Sequence, residues 1–224
     1  MSHSKVKTIA ATLTILGASV IIYLSRNPFA PGIKSAPHEA LGQVVAEEAV
    51  KLLGSGGRIT LFVRDTATFP NPASDAQLKA FQQTLKKSGQ KVTVTQVFKI
   101  NPIGLMTVPP GDFLEVIKKN NPADVIVSFL GPPALTDEQF AKLGEKRPKI
   151  VAVCSGEMPR RINLKQVFEE KLLHVAILNQ KIPPSASTPP ATTPRGVFEQ
   201  WYWLATPANL ADLPLPAGQS ARKN

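Results

Sequence analysis

The residues of this sequence most able to do chemistry are polar side chains that lie at the ends of apolar runs. One group ends the run RITLFVRD, and the other lies in CSGEMPRR, which follows the run KIVAV. Two neighbouring arginines can bind an anion or a partner carboxylate bidentately. The candidate ligand- or partner-binding residues are Arg64, Asp65, Ser155, Glu157, Arg160 and Arg161. The alternative for CSGEMPRR is a solvated loop, because charged side chains are mostly exposed.

Motifs for catalysis and nucleotide binding are missing from the sequence. Ser155 does not lie in G-x-S-x-G. The loop after RITLFVRD contains neither G-x-G-x-x-G nor G-x-x-x-x-G-K-[ST]. The sequence also offers no acid/base pair or nucleophile constellation, so we predict no catalytic residue and no cofactor, and an enzyme is the least favoured function class.

The cysteine and the histidines give no metal site. Cys154 is the single cysteine, which excludes an intramolecular disulfide and cysteine-based metal motifs. His3, His38 and His174 are far apart in the sequence. His174 lies in an apolar run, where a packed histidine is more common than a ligand. We therefore expect no metal, and we expect both Cys154 and His174 to face the core.

Apolar periodicity predicts helices and strands in strict alternation. The predicted helices cover residues 38–53, 74–89, 112–120, 136–145 and 163–170, and the predicted strands cover 58–65, 91–97, 123–130, 149–154 and 171–178. Each of the last four helices starts with a capping oxygen three residues before Glu or Gln, at Ser74, Asp112, Thr136 and Asn163. Five such alternations predict a three-layer α/β domain, with a mainly parallel five-stranded sheet between two layers of helices.

The strand KVTVTQV alternates strictly between apolar and polar residues, so it should bury one face only and lie at an edge. With right-handed crossovers, this gives the strand order 2-1-3-4-5. The segment GPP at Gly131–Pro133 follows the third strand. We interpret it as a tight corner, because prolines have no N–H to donate to a ligand, although an apolar rim remains the alternative.

The amino-terminal segment is a candidate membrane anchor. Residues 8–24, TIAATLTILGASVIIYL, carry no charge, and Lys5 and Lys7 precede them. This is long for a signal-peptide apolar region and just long enough to span a bilayer as a helix. We predict a cytoplasmic tip at 1–7, an uncleaved transmembrane signal anchor at 8–25 and a linker at 26–38, with a cleaved signal peptide as the alternative. The α/β domain at 39–180 would then be periplasmic or extracellular, on a single-pass protein of a bacterial inner membrane.

The carboxyl-terminal segment has three parts. Residues 181–196 are rich in Pro, Ser and Thr and read as a linker, and 217–224 form a basic tail. Residues 197–216 between them carry the aromatics Phe198, Trp201, Tyr202 and Trp203. We expect these to dock on the domain as an added strand, followed by a short helix that Thr206 caps and Pro207 starts. The alternatives are a partner interface or contact with the membrane surface.

The charge of the chain does not indicate a nucleic-acid partner. The net charge is +10, but the stretch from Glu39 to Gln180 has 18 basic and 14 acidic residues, so most of the excess lies in the tails. Nucleic-acid-binding domains gather basic residues on one face, with aromatics among them. We therefore predict no nucleic acid.

The order of these elements resembles one lobe of a type 1 periplasmic binding protein. The resemblance rests on GRITLFVRD, DAQLKAFQQTLKKSG, KVTVTQVF, FLEVIKKNNPADVIVSF and KIVAVCSG, and it covers about residues 39–180. Such proteins close two lobes on a small ligand, whereas this chain has residues for one lobe.

Two function classes follow from the sequence. The first is a membrane-anchored extracytoplasmic binding or interaction module, such as an accessory subunit of a membrane assembly, with a protein partner or a second copy. The alternative is a receptor lobe for an anion, a sugar or an amino acid, completed by dimerisation.

Overall fold

The computed structural model describes residues 34–68, 70–99, 107–185 and 187–213. From Ala36 onward they belong to one unit of the chain, Ala36–Asn224. The predicted anchor at residues 8–24 lies outside the described residues. Among the helices in the described ranges, none is long and apolar enough to cross a membrane.

Helices and strands alternate along the domain, except that two short helices stand between the fourth and fifth strands, the first of them within CSGEMPRR. The helices are α1 Ser35–Leu52, α2 Pro72–Lys87, α3 Pro110–Lys119, α4 Asp137–Ala141, α5 Met158–Arg161, α6 Leu164–Glu169 and α7 Pro194–Trp201, and a 3₁₀ helix covers Pro207–Asp212. The strands are β1 Ile59–Arg64, β2 Val92–Phe98, β3 Val125–Ser128, β4 Lys149–Cys154, β5 Val175–Asn179 and β6 Tyr202–Ala205.

The described strands form one sheet with the order β2-β1-β3-β4-β5-β6. This differs from the predicted five-stranded order 2-1-3-4-5 by the sixth strand, β6, which pairs antiparallel with β5. The other neighbours are parallel. Of the four aromatics expected in an added strand, Tyr202 and Trp203 lie in β6, whereas Phe198 and Trp201 lie in helix α7. Thr206 caps the following 3₁₀ helix, as expected, and its side chain accepts from Ala208 N.

Two hydrophobic cores lie on opposite faces of the sheet. Helices α1, α2 and α7 cover the first, where Leu41, Phe81 and Phe198 are almost fully buried. Helices α3 and α6 cover the second, where Phe62 of β1 packs edge-on against Phe113 of α3, with 4.9 Å between ring centroids. Each buried aromatic or aliphatic side chain of this size contributes about 1.5–3 kcal/mol, so the two cores stabilise the three-layer arrangement.

Strand β2 lies at the edge of the sheet, as its alternation predicts, but its buried side chains do not all lie on one face. The pairing register shifts between Ile59 and Thr60 of β1, which pair with Val92 and Val94. Thr93 is thus an extra residue, and beyond it the side chains change faces. Val92 packs against the first core and Phe98 against the second. As a result, Val94 is 43% exposed and Val97 is 60% exposed.

The predicted helix caps are confirmed at two helices and wrong at two. Thr136 forms a full capping box with Gln139, and Asn163 accepts from Gln166 N. At α2 the cap is Asn71, which accepts from Ser74 N, rather than Ser74 itself. At α3 the helix begins at Pro110 with no side-chain cap, so Asp112 lies inside the first turn. The reason is the same in both helices, because a proline is favoured at the first helical position and starts the helix early.

An ion pair between the half-exposed Arg58 and the buried Asp124 joins the amino-terminal ends of β1 and β3. Asp124 is buried and accepts from Arg58 N at 2.8 Å, from Asn121 N at 2.9 Å and from Arg58 Nη2 at 3.1 Å. Burial alone would raise the pKa of Asp124, but hydrogen bonds from Asn121 and Arg58 outweigh it, so the pKa lies below its ordinary value. The ionised carboxylate therefore stabilises the folded state.

We expect Asp124→Asn to destabilise the protein by about 2 kcal/mol at pH 7, because charge-assisted hydrogen bonds are lost in a buried position. Since the folded-state pKa is lowered, this contribution is present above the ordinary carboxyl pKa and disappears as the pH falls through the lower, folded-state value. Urea unfolding at pH 7 and near pH 3 measures the destabilisation and its dependence on pH. Glu115→Gln, which removes an exposed pair with Lys119, is the control. An Asp124→Asn cost that is equal at the two pH values contradicts the assignment.

Candidate functional site

An open cavity of about 460 Å³ lies at the carboxyl ends of the parallel strands. Strand ends contribute Arg64 of β1, Asn179 of β5 and Ser155 just after β4. This edge is where open parallel sheets form their ligand sites, because the strand-to-helix loops diverge there.

The end of β1 sends its two candidate residues in different directions. Arg64 is half-buried and lines the cavity. Asp65 does not line it, and its carboxylate instead accepts from Ala67 N and from Thr68 Oγ1, both at 2.9 Å. These hydrogen bonds, that of the Thr68 side chain foremost, lower the pKa of Asp65. Asp65 therefore organises its own loop.

The segment CSGEMPRR forms the opposite wall. Ser155, Glu157 and Arg161 line the cavity, whereas Arg160 does not. Arg160 instead pairs with Glu157, with 3.4 Å between Nη1 and Oε2, and both side chains are about two-thirds exposed at 66% and 65%. Four of the six candidate residues are thus brought together around one cavity, and their binding role stays a prediction.

Two contacts hold this wall in place. Met158, at the start of α5, is buried against Gly131, which has a φ of +91°. A Cβ on Gly131 would overlap the Met158 sulfur. On the other side, Gly156 N donates to Asn179 Oδ1 at 3.4 Å, which joins the wall to β5. The position of Arg161 therefore depends on packing between segments that are remote in sequence.

The GPP segment is a buried corner. Gly131, Pro132 and Pro133 are buried, and none of them lines this cavity, although the preceding Leu130 does. The corner interpretation of the sequence fits this arrangement, since the prolines end the strand and the glycine makes room for Met158.

Helices α1 and α2 supply polar residues that the sequence did not single out. Gln77 Nε2 donates to His38 Nδ1 at 3.3 Å, and both residues line the cavity. Burial lowers the pKa of His38, which favours the neutral ring at pH 7, and a neutral ring can accept this hydrogen bond at Nδ1. Asn71, the cap of α2, also lines the cavity. In the sequence, the only indication that these three residues could line a site was their position near the first turn of a helix.

Cys154 faces the interior, as the sequence predicts, whereas His174 is half-buried. Cys154 is fully buried, which raises the pKa of its thiol well above the ordinary value. His174 Nδ1 accepts from Ile150 N at 3.2 Å, and burial, with smaller effects of Lys149 and Arg147, lowers its pKa. Both side chains therefore belong to the packing of β4 and β5. Within the described ranges, no cluster of His, Cys, Asp and Glu could hold a metal ion.

The aromatic segment is packed on the domain. Phe198 and Tyr202 are buried in the first core, with 5.6 Å between their ring centroids. Trp201 packs partly against the same core and Trp203 against the second. Tyr202 also lines the cavity. Of the four aromatics, Tyr202 thus links the packing of β6 to the cavity.

Comparison with known proteins gives structural matches only. No protein-family model matches the chain, and no curated protein matches it. The arabinose-binding protein AraP from Geobacillus stearothermophilus has a TM-score of 0.50 at 14% identity, over 79% of this chain and 63% of that one. An ABC-transporter solute-binding protein from Burkholderia graminis, in complex with D-arabinose, has a TM-score of 0.49 at 14% identity, over 78% of this chain and 61% of that one.

The likeness to AraP shows a fold similar to that of type 1 periplasmic binding proteins, as the sequence pattern suggested. A periplasmic ribose ABC-transporter protein from Conexibacter woesei also matches, with a TM-score of 0.45 at 13% identity, over 63% of this chain and 45% of that one. The chain spans less than two thirds of the length of each of these three proteins.

We expect Gly131→Ala to destabilise the protein by about 1–3 kcal/mol, because the added methyl group overlaps Met158 and the backbone conformation disfavours a side chain. The destabilisation of the double variant Gly131→Ala/Met158→Ala should be smaller than the sum of the destabilisations of the two single variants, by at least about 0.5 kcal/mol. Urea unfolding of the four proteins measures this coupling. Gly144→Ala, where a methyl group meets open space, is the control. Strictly additive costs would show that the two residues do not clash.

Proposed function

We propose that this protein is a binding module that takes a small polar ligand in the cavity at the carboxyl ends of its strands. The observation that carries the proposal is the cavity itself, with charged and amide side chains from four separate parts of the chain. A volume of about 460 Å³ lies within the range of small-molecule sites.

The position of the cavity in the sheet supports the proposal. The strand order β2-β1-β3 reverses direction at β1, so the loops after β1 and β3 leave toward opposite faces. Arg64 ends β1, and Phe129 and Leu130 directly follow β3, and all three line the cavity. Ligands in open α/β sheets bind in the crevice that such a reversal opens.

One side of the cavity is open in the described part of the chain. Ser155, Glu157 and Arg161 are exposed on its rim, and the chain spans less than two thirds of the length of the matched binding proteins. We propose that a second copy of the chain or a partner protein covers this rim. Residues 8–24 would anchor the module to the bacterial inner membrane with the domain outside the cytoplasm. The description of a matched protein as periplasmic fits that location.

A second candidate function is a protein-interaction module, such as an accessory subunit of a membrane assembly. The edge strand β2 favours it, because Val94 and Val97 expose apolar surface beside backbone groups that no described strand pairs with. An extended segment of a partner could add to such an edge.

The ligand site can be tested by thermal unfolding of the purified full-length chain in mild detergent. The unfolding is measured in the presence of sugars, amino acids and small organic acids. A compound at 100 times its Kd should stabilise the folded protein by about 2.7 kcal/mol. Ser155→Trp should abolish this stabilisation by filling the cavity, whereas Gln83→Trp, on the exposed face of α2, should not.

Two outcomes count against the proposal. Absence of stabilisation by every compound removes the receptor function and leaves the interaction module. Equal stabilisation of the wild type and of Ser155→Trp would show that the ligand binds outside this cavity. Sedimentation with and without a bound compound then shows whether a second copy covers the rim.

A further inference from the structure

We infer that the outer edge of β2 binds an extended, acidic segment of a partner protein, which pairs with this strand through backbone hydrogen bonds. The inference rests on the interaction module, the second candidate function above, and names the class of its partner. It is independent of the small-ligand cavity, because none of the residues that line the cavity belongs to β2.

The backbone of β2 directs alternate polar groups away from the sheet. Asp65 N donates to Phe98 O at 2.8 Å, so the backbone groups of Phe98 lie on the side of β1. Because these directions alternate along a strand, Thr95 and Val97 point their N–H and C=O groups outward. No described strand pairs with this side of β2. The edge therefore offers donors and acceptors to a strand of another chain.

Apolar side chains flank this edge on both faces of the sheet. Beyond the extra residue Thr93, Val94 lies on the same face as Phe98, which packs against the second core, and Val97 lies on the opposite face. Both valines are exposed. The side chains of a partner strand alternate between the same two faces, so one strand would cover both valines and bury their apolar surface.

The helix and strand at this edge carry the surplus positive charge of the domain. Residues from Ala76 to Lys99, which include most of α2 and all of β2, contain five lysines and no acid. The rest of the stretch from Glu39 to Gln180 has 13 basic and 14 acidic residues. The α2–β2 edge is therefore the basic side of an otherwise nearly neutral domain, which favours an acidic partner. Its lysines are Lys79, Lys86, Lys87, Lys91 and Lys99.

These lysines keep their charge exposed to a partner. All five are exposed, and in the described ranges none of them forms an ion pair. The pKa of Asp65 is lowered by hydrogen bonds, that of the Thr68 side chain foremost, and to a smaller extent by the charge of Lys99. Lys99 thus has an acid nearby, whereas Lys91, at the start of β2, follows the basic last turn of α2. The partner should place its acidic residues beside the start of β2.

The same features argue against other occupants of the edge. A second copy would bring its own lysines, and like charges opposite each other are destabilising. Surfaces for single-stranded nucleic acid carry aromatic rings for stacking, but here Phe81 is fully buried and Phe98 packs edge-on against Phe62, with 5.3 Å between ring centroids. An anionic lipid surface would use the lysines but not the outward backbone groups. A protein segment uses the charge, the valines and the backbone together.

Selection of peptides by the full-length chain in mild detergent tests the inference. The probe is a displayed library of random peptides of about ten residues, long enough to pair along β2. The recovered peptides should be enriched in Asp, Glu and β-branched residues. Their synthetic forms should bind in a fluorescence-polarisation assay, and the affinity should fall as salt is raised from about 20 to 200 mM, because exposed charges are screened.

Backbone methylation of the same peptides tests whether they bind as a strand. Each peptide is also made in two forms, with N-methyl groups on alternate residues, starting from the first or from the second. A paired strand directs alternate N–H groups to its neighbour, so only the form that keeps those groups should bind. This measurement leaves the protein itself unchanged.

Variants of the protein separate backbone pairing from charge. Thr95→Pro removes an outward N–H and should weaken peptide binding about tenfold, because proline is tolerated on the outer side of an edge strand but cannot donate. The double variant Lys91→Gln/Lys99→Gln should weaken it about 3–10-fold. Lys142→Gln/Lys165→Gln, an equal change of charge at exposed positions outside the α2–β2 edge, should leave the affinity within about twofold. Circular dichroism confirms that each variant is folded.

Three results overturn the inference. The first is recovery of no peptide, or of peptides without an excess of acidic residues. The second is equal binding to the wild type and to both edge variants, which would show that the partner docks elsewhere on the module. The third is loss of binding in the lysine variant alone, with Thr95→Pro and both N-methylated forms still binding, which would show recognition by charge only, as at a lipid or nucleic-acid surface.

The proposed function is judged separately from this edge. Thr95→Pro should leave stabilisation by a small ligand unchanged, because Thr95 does not line the cavity. If the edge fails while a small ligand still stabilises the protein, the cavity remains a ligand site. If no small ligand stabilises the protein while acidic peptides bind at β2, the interaction module remains.

Discussion

The parallel strands at the centre of the sheet are buried on both faces, and this constraint shapes the rest of the domain. Strands β3 and β4 expose almost no side chain, and the polar atoms they carry are satisfied within the core. A sheet of this kind cannot place reactive or charged groups along its length, because burying them costs several kcal/mol each. In the central strands, charged residues are therefore confined to the strand ends. At the amino-terminal ends they are structural, as in the Asp124–Arg58 pair, and at the carboxyl-terminal ends they surround an open cavity.

The two ends of the sheet also differ in how their polar groups are satisfied. Asp124 receives hydrogen bonds from a guanidinium and from two backbone N–H groups, so its charge is compensated inside the protein. The residues around the cavity include Arg161, which is exposed, and Glu157, whose ion pair is also exposed. The contact between Met158 and Gly131 fixes the backbone beneath these side chains. The wall is therefore rigid at its base and solvated at its surface, which suits a site that exchanges water for a ligand.

Local patterns in the sequence were sufficient for the alternation of elements, the edge position of β2 and the docking of the aromatic segment. They failed where two local signals compete, as at Pro72 and Pro110, where proline at the first helical position prevailed over the capping residues that follow. They also failed for the register of β2, because the position of an extra residue in one strand is defined only by its pairing with the neighbouring strand. In the site, Arg64 and Ser155 were predictable from strand ends, since parallel strands end at a common edge. His38 and Asn71 were not predictable in this way, because only the packing of α1 and α2 on the sheet brings the amino-terminal ends of these helices to that edge.

The irregular pairing of β2 bears on how the protein behaves when many copies are present. A straight outer strand with exposed valines is a template on which identical chains can stack into fibrils. Here Thr93 interrupts the regular spacing of the backbone, and Lys91 and Lys99 place like charges at the two ends of the strand. A second copy meeting this edge would face its own irregularity and its own lysines. The irregular pairing and the two lysines therefore work against edge-to-edge stacking of identical chains.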